Sequence, residues 1–127
     1  MNFTVSITTC NRAQSLARTL DAVHALDYDA GALQVIVADN GSTDQNPDIA
    51  ETLSQQYPEV SWTYLEIRGR GRALRKAWLE SDADILTYMD VDLSTGLSAF
   101  PQLVRAIGEE GFDLAIGSRL MNGSVVK

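Results

Sequence analysis

A chain of 127 residues, 45% apolar and 21% charged, has the composition of a globular protein and the length of one domain, at roughly 100–200 residues per domain. Its 10 Lys and Arg against 17 Asp and Glu give a net charge of −7, which excludes a broad basic face for nucleic acid. The single cysteine, Cys10, excludes a disulfide framework and a multi-cysteine metal site and points to a reducing, cytoplasmic compartment. No apolar run approaches the roughly 20 residues of a membrane span, and Met1-Asn2-Phe3 does not open a secretory leader, so the expectation is a soluble, acidic chain.

The hydrophobic period switches repeatedly between 2 and 3.6. Phe3, Val5 and Ile7 alternate with Thr4, Ser6 and Thr8, the pattern of a strand. Leu16, Leu20, Val23 and Leu26 predict an amphipathic helix over about residues 12–26. The apolar run 33–38 suits a buried parallel strand. Asn46, as cap, and Pro47, at the first helical position, start a second helix carrying Ile49, Leu53 and Tyr57. Val60, Trp62 and Tyr64 mark a third strand, Leu74, Ala77 and Trp78 a third helix, and residues 85–89 a fourth strand. Ser98 is placed to cap a helix bearing Phe100, Leu103, Val104 and Ile107, ended by Gly108 and Gly111. Residues 112–116 then read as a fifth strand.

Strands alternating with helices predict an α/β fold: a mostly parallel central sheet with helices on both faces. Ligands bind such sheets beyond the carboxyl ends of the strands. There the sequence places Thr8-Thr9-Cys10-Asn11-Arg12, Asp39-Asn40-Gly41-Ser42, Asp90-Val91-Asp92 and Gly117-Ser118-Arg119.

Asp90 and Asp92, two apart at a strand end, point the same way, and their mutual repulsion is relieved by a hard divalent cation such as Mg2+ or Mn2+. The competing reading is a pair of loop aspartates capping the next helix. A dehalogenase-type nucleophilic pair belongs on a first strand, not a fourth. Asp39 begins a segment, Asp39-Asn-Gly-Ser-Thr-Asp44, that reads either as a tight turn or as a strand-end carboxylate accepting hydrogen bonds from a base or ribose. Arg68, Arg70, Arg72, Arg75 and Lys76 hold half of the Lys and Arg in nine residues, and read as a solvated helix face or, given Gly69 and Gly71, as an anion site. His24 reads as a surface or packing residue, Trp62 and Trp78 as core, and Cys10 as a pocket wall.

Val35-Ile-Val-Ala-Asp39-Asn-Gly-Ser-Thr-Asp44, Gly71-Arg-Ala73, Tyr88-Met-Asp90-Val-Asp92 and Gly117-Ser-Arg119 together resemble family 2 glycosyltransferases with the Rossmann-like GT-A nucleotide-sugar-binding fold. The likeness spans the chain and is greatest to the branch making dolichyl- or polyprenyl-phosphate sugars. It implies that Thr8, Cys10, Arg12 and Asp39 contact the nucleoside, that Asp90 and Asp92 take Mg2+ or Mn2+ and the diphosphate, and that Arg119 lies toward the phosphates. Thr9, Gly41, Ser42, Gly71, Arg72, Lys76 and Val91 complete the implied nucleotide-sugar site. The family's usual Pro-Thr-Tyr-Asn-Glu opening is here Thr8-Thr9-Cys10-Asn11-Arg12, Asn40 replaces a second aspartate, and Ser94 stands where the mannosyl-phosphate branch often has Gln. These departures leave the donor open between a UDP- and a GDP-sugar.

The implied acceptor is a lipid phosphate or a glycan. For the lipid phosphate the Arg68–Lys76 cluster is expected to hold the acceptor at the cytoplasmic face of a membrane. The resemblance further implies that residues 1–127 are the N-terminal, donor-binding part of such a domain, without turnover by themselves and with a tendency to dimerise through the fifth strand. Two other classes fit less well. A phospho-signalling receiver needs an acidic pair ending the first strand, where Thr8-Thr9 stands. A nicotinamide-binding domain needs a third glycine, which Arg68-Gly-Arg-Gly-Arg-Ala73 lacks. A non-catalytic nucleotide-sugar binder stays open.

Overall fold

The computed structural model describes residues 2–25, 33–91 and 97–117. It divides into two compact units, Met1–Ser94 and Thr95–Lys127. The first holds β1 (Phe3–Thr9), α1 (Ala13–His24), β2 (Leu33–Asn40), α2 (Asn46–Gln56), β3 (Val60–Leu65), α3 (Arg70–Glu80) and β4 (Ile85–Asp90). The second holds a 3-10 turn (Leu97–Ala99) and α4 (Phe100–Gly108).

The four strands form one sheet in the order β3-β2-β1-β4, every pair parallel, so the α/β expectation holds. From β1 the chain steps outward through β2 to β3, then crosses back to β4 on the other side of β1. Right-handed crossovers then require α3 to lie on the opposite face from α1 and α2. The packing agrees. Ala73 and Ala77 of α3 are fully buried against Ile36 and Ala38, whereas the Trp62 indole on the other face donates to Glu51 of α2 at 2.6 Å.

β1 is buried along its whole length. The sequence alternation of Thr4, Ser6 and Thr8 with apolar residues therefore marks two covered faces rather than a wet and a dry one. Small hydroxyl residues suit the α3 face because the helix approaches closely through its alanines. Thr4 Oγ1 meets Gln34 Oε1 at 3.2 Å and Ser81 Oγ at 2.5 Å, which satisfies the buried hydroxyl.

The helices begin and end close to their expected positions. Leu16, Thr19, Leu20 and Val23 form the buried stripe of α1; Leu26 lies outside the described residues. In α2 the cap is Gln45, one residue before the expected Asn46, because Ile49 N–H already donates to Gln45 C=O. Ala99 rather than Ser98 precedes α4, Ser98 being taken up in the 3-10 turn. Both tryptophans are half-buried rather than core, their N–H groups donating to Glu51 and to the Thr87 carbonyl.

The expected fifth strand at 112–116 is not formed. A strand needs a ladder partner as well as alternation. The Phe112 N–H is instead taken by the Ala106 carbonyl at 3.1 Å after Gly111 turns the chain at φ +81°. No described strand pairs with the segment. The outer strands among the described residues are β3 and β4.

The alanine contact between α3 and β2 generates a stability prediction. Ala77→Leu is expected to destabilise the fold by about 1–3 kcal/mol through overpacking, whereas the exposed Leu79→Ala stays within about 0.5 kcal/mol. Urea denaturation of the two variants checks this.

Candidate functional site at the carboxyl edge of the sheet

In a parallel ladder, residues in register share a level and a face. The register Thr9↔Asp39 and Thr8↔Asp90 puts the ends of β2, β1 and β4 on one line at the carboxyl edge. Asp39 and Asp90 flank β1, two strand spacings apart, or about 10 Å. They project to opposite faces, Asp39 with Thr9 toward α1 and α2, and Asp90 with Thr8 toward α3. The chain reverses its direction of travel between β1 and β4, the switch point at which open α/β sheets form a binding crevice.

Asp39 has no exposed surface. One carboxylate oxygen, Oδ1, accepts the Ser42 N–H at 2.9 Å and closes the turn after β2. The other, Oδ2, is buried without a hydrogen-bond partner among the described residues. A buried carboxylate oxygen left in this state is costly, and a ligand N–H or O–H would satisfy it. The tight-turn and the binding readings of this segment thus use different oxygens of one side chain.

The loops around this edge are tied together. Gly41 has φ +70°, and a Cβ there would stand 3.0 Å from Arg68 Cγ and 3.3 Å from the Leu65 carbonyl oxygen, so the position needs glycine on both counts. Arg68 Nη2 donates to the Gly41 carbonyl at 3.3 Å, and Gly69 N–H donates to Asn40 Oδ1 at 2.8 Å. On the other side Asn11 joins the loop after β1 to the loop after β2. Its Oδ1 accepts the backbone N–H groups of Thr43 at 2.7 Å and Asp44 at 3.2 Å, and its own N–H donates to Ser42 Oγ at 2.9 Å. Asn11 has φ 52°, which asparagine tolerates better than most residues. Arg12, at the start of α1, offers no side-chain cap, and Asp44 Oδ2 takes the Ala13 N–H at 3.3 Å.

The basic run divides. Arg70 begins α3, pairs with Asp90 at 2.5 Å and lies 5.9 Å from the centre of the Tyr88 ring. Arg70 and Arg72 lie in the first turn of α3 and Arg68 just before its cap, Gly69, where the helix dipole adds positive potential. Lys76 lies further along, bound to Thr63 Oγ1 at 2.5 Å and Glu80 at 2.8 Å; Thr63 is level with Ala38 and Thr8 but on β3, at the opposite side of the sheet from Asp90. Gly71 is an exposed residue of α3 with open space around it. Cys10 is half-buried at the end of β1.

Asp90 is half-exposed and Val91 buried, the alternation expected at a strand end. Asp92 and Arg119 lie outside the described residues. Among the described residues no three His, Cys, Asp or Glu side chains converge as a closed metal cage. A strand-end carboxylate is nevertheless a hard oxygen donor, and Mg2+-type ions are commonly held by one or two carboxylates plus the substrate's own phosphates. The donor chemistry fits a cation that arrives with a diphosphate.

The site therefore gathers Thr8, Thr9, Cys10, Asp39, Gly41, Ser42, Asp90 and Val91 along one edge, with Arg12 and Arg72 on its flanking helices. Lys76 stands on the outer, β3 side of the same edge, held by Thr63 and Glu80. Asn11 and Asn40, read only as strand-end residues, and Arg68 and Arg70, read as a solvated face or an anion site, also brace this edge. For Asn11 the available signal was an asparagine just past a strand, a residue that accepts left-handed backbone.

The sequence matches the model of the family described as "Glycosyl transferase family 2" over residues 4–127. It is 30% identical over 131 residues to the dolichol-phosphate mannosyltransferase of Pyrococcus furiosus, covering 100% of this chain and 36% of that protein. It is 37% identical over 93 residues to the glycosyltransferase AglD of Haloferax volcanii, covering 72% of this chain and 15% of that one. The chain thus spans 36% and 15% of these two relatives' own lengths. Among solved structures, the mannosyltransferase PcManGT of Pyrobaculum calidifontis, in complex with GDP-Man and Mn2+, superposes with a TM-score of 0.73 at 27% identity, over 85% of this chain and 32% of that one.

The positive φ and close neighbours of Gly41 yield a prediction. Gly41→Ala is expected to lower stability by about 1–2 kcal/mol from the left-handed backbone alone. Thermal denaturation measures it.

Proposed function

The chain belongs to glycosyl transferase family 2, and on that premise we propose that it binds a nucleotide-diphosphate sugar and serves transfer of the sugar. The observation that carries this reading is the buried Asp39, with Oδ1 committed to its turn and Oδ2 left for a ligand donor. Asp39 accepts a hydrogen bond from the base, with Thr8, Thr9, Cys10 and Arg12 around the nucleoside. The diphosphate lies across the end of β1 toward Asp90, close to the amino-terminal end of α3. Both GDP-Man and Mn2+ are bound by a structural neighbour, which supports a donor of this class with a divalent cation at Asp90 and Asp92. A cation bound there supplies Lewis-acid stabilisation of the charge that develops on the leaving diphosphate.

In this reading Arg70 has two anionic partners to choose between. It pairs with Asp90, and a diphosphate at this edge would lie beside the same guanidinium. Arg68 and Arg72 contribute to the same positive field. The acceptor we favour is a polyprenyl or dolichyl phosphate, supported by the name of the Pyrococcus furiosus relative. A phosphate monoester has its second pKa near about 6, so this nucleophile is already ionised at neutral pH and needs no general base. A glycan hydroxyl would need one. A lipid-phosphate acceptor would put the protein at the cytoplasmic face of a membrane. No helix among the described residues is long and apolar enough to cross one.

Asp39→Asn keeps the shape of the side chain but replaces an acceptor with a donor on one side. It is expected to weaken UDP or GDP binding, whichever the protein prefers, by about 10–100-fold, equivalent to ~1–3 kcal/mol for a lost buried hydrogen bond. Isothermal titration with UDP-glucose and GDP-mannose, with and without Mn2+, measures this and identifies the nucleotide. Unchanged affinity would remove Asp39 from the site. Sugar transfer by the protein to polyprenyl phosphate, against a glycan acceptor, decides between the two acceptor classes.

A further inference from the structure

The basic run of α3 is only partly committed. Arg70 is paired with Asp90 and Lys76 with Glu80, Lys76 also reaching Thr63 of β3, and Arg68 holds the Gly41 carbonyl. Among the described residues Arg72 and Arg75 have no anionic partner. Both are exposed, and helix geometry puts them on one face. Ala73 and Ala77 fix the inner side of α3 against β2. At about 100° per residue, Arg75 falls opposite that pair, with Gly71, Arg72 and Leu79 within about 60° of it. The outer face therefore carries two unpaired cations, a glycine with open space around it and a leucine 70% exposed. Ile67, 69% exposed, precedes the helix beside Arg68. Acid is scarce here: of the chain's 17 Asp and Glu, only Glu66 lies between Val60 and Leu79.

We propose that the outer face of α3 docks the protein on an anionic lipid bilayer. Charge and apolarity point to the same partner. Anionic headgroups attract Arg72 and Arg75, the stems of both arginines lie along the interface, and Leu79 and Ile67 enter the acyl boundary at the two ends of the stripe. Nucleic acid would meet a basic face one helix wide and an acidic remainder, and it offers nothing to an exposed leucine. The net charge of −7 does not cancel the stripe, because charges more than about 8 Å apart are largely screened at physiological salt. α3 begins at the carboxyl edge of the sheet, so a bilayer under this face lies beside the candidate donor site. The docking goes beyond the sugar-transfer reading and holds whether the acceptor is a lipid phosphate or a glycan.

The test is co-sedimentation of the protein with vesicles of phosphatidylcholine alone, or of equimolar phosphatidylcholine and phosphatidylglycerol, without nucleotide or acceptor. The protein is expected to bind the anionic vesicles, to leave the neutral ones, and to be released by high salt. Arg72→Gln/Arg75→Gln is expected to weaken this binding about 30-fold, from ~1 kcal/mol for each arginine. Leu79→Ser is expected to weaken it about tenfold by withdrawing an apolar side chain. Arg72→Lys/Arg75→Lys is expected to bind within about twofold of the wild type, because a bilayer reads charge rather than the guanidinium fork. All three positions are exposed, so the circular dichroism spectra are expected to stay unchanged.

Equal, low binding of the wild type to both kinds of vesicle would overturn the proposal. Undiminished binding by Arg72→Gln/Arg75→Gln would overturn it too, by taking the docking away from this face. Loss in the lysine variant as well as the glutamine one would also contradict it, marking a bidentate site for one particular anion, such as an acidic protein segment, rather than a surface.

Discussion

The central strand has to be covered on both faces, and the rest of the molecule follows from that. β1 is flanked by β2 and β4, sandwiched by helices, and buried from Phe3 to Thr9. A parallel strand in this position cannot use its own side chains to meet solvent, so all of its polar opportunity lies at its carboxyl end. Parallel pairing then aligns the neighbouring strand ends at the same level. Asp39 and Asp90 reach the edge together because both are in register with the last residues of β1.

What turns this edge into a defined site is the cross-bracing of its loops. Asn11 fastens the loop after β1 to the loop after β2, and Arg68 with Gly69 fastens the latter to the loop before α3. These are bonds between side chain and backbone, and they satisfy turn amides that would otherwise face a crevice. They also leave Asp39 with one oxygen held and the other unpartnered among the described residues. A loop set braced in this way binds a ligand with little ordering to do on arrival, which favours affinity.

Much of the fold was legible because its signals are local and redundant. The four strands and the first three helices each carry a periodic stripe, and the α/β alternation leaves few topologies. The family resemblance rested on residues that do lie together, such as Asp39, Gly41, Ser42 and Asp90. The failures have physical causes. Residues 112–116 alternate like a strand, but pairing is a property of a partner, which no alternation encodes. Lys76 shares a basic run with Arg68 and Arg70, and its bond to Thr63 of β3 is a long-range tie that the run does not encode. The bond from Thr19 of α1 to the Val91 carbonyl gave no signal at all, because a long-range bond from a helix interior to a distant carbonyl leaves no spacing to read. Asn11 and Arg70 were visible as residue types but not as ties.

The central claim is that the carboxyl edge around β1 receives the donor, with the nucleoside by Asp39 and the metal-bound diphosphate by Asp90. Paramagnetic broadening tests it most directly. Mn2+ added to the isotope-labelled protein with bound UDP or GDP is predicted to erase the amide signals of Thr8, Asp90 and Val91. Those of Phe3, Leu33 and Ile85, aligned at the opposite end of the same strands, should persist. Broadening at Phe3, Leu33 and Ile85 with Thr8 and Asp90 left intact would contradict the account.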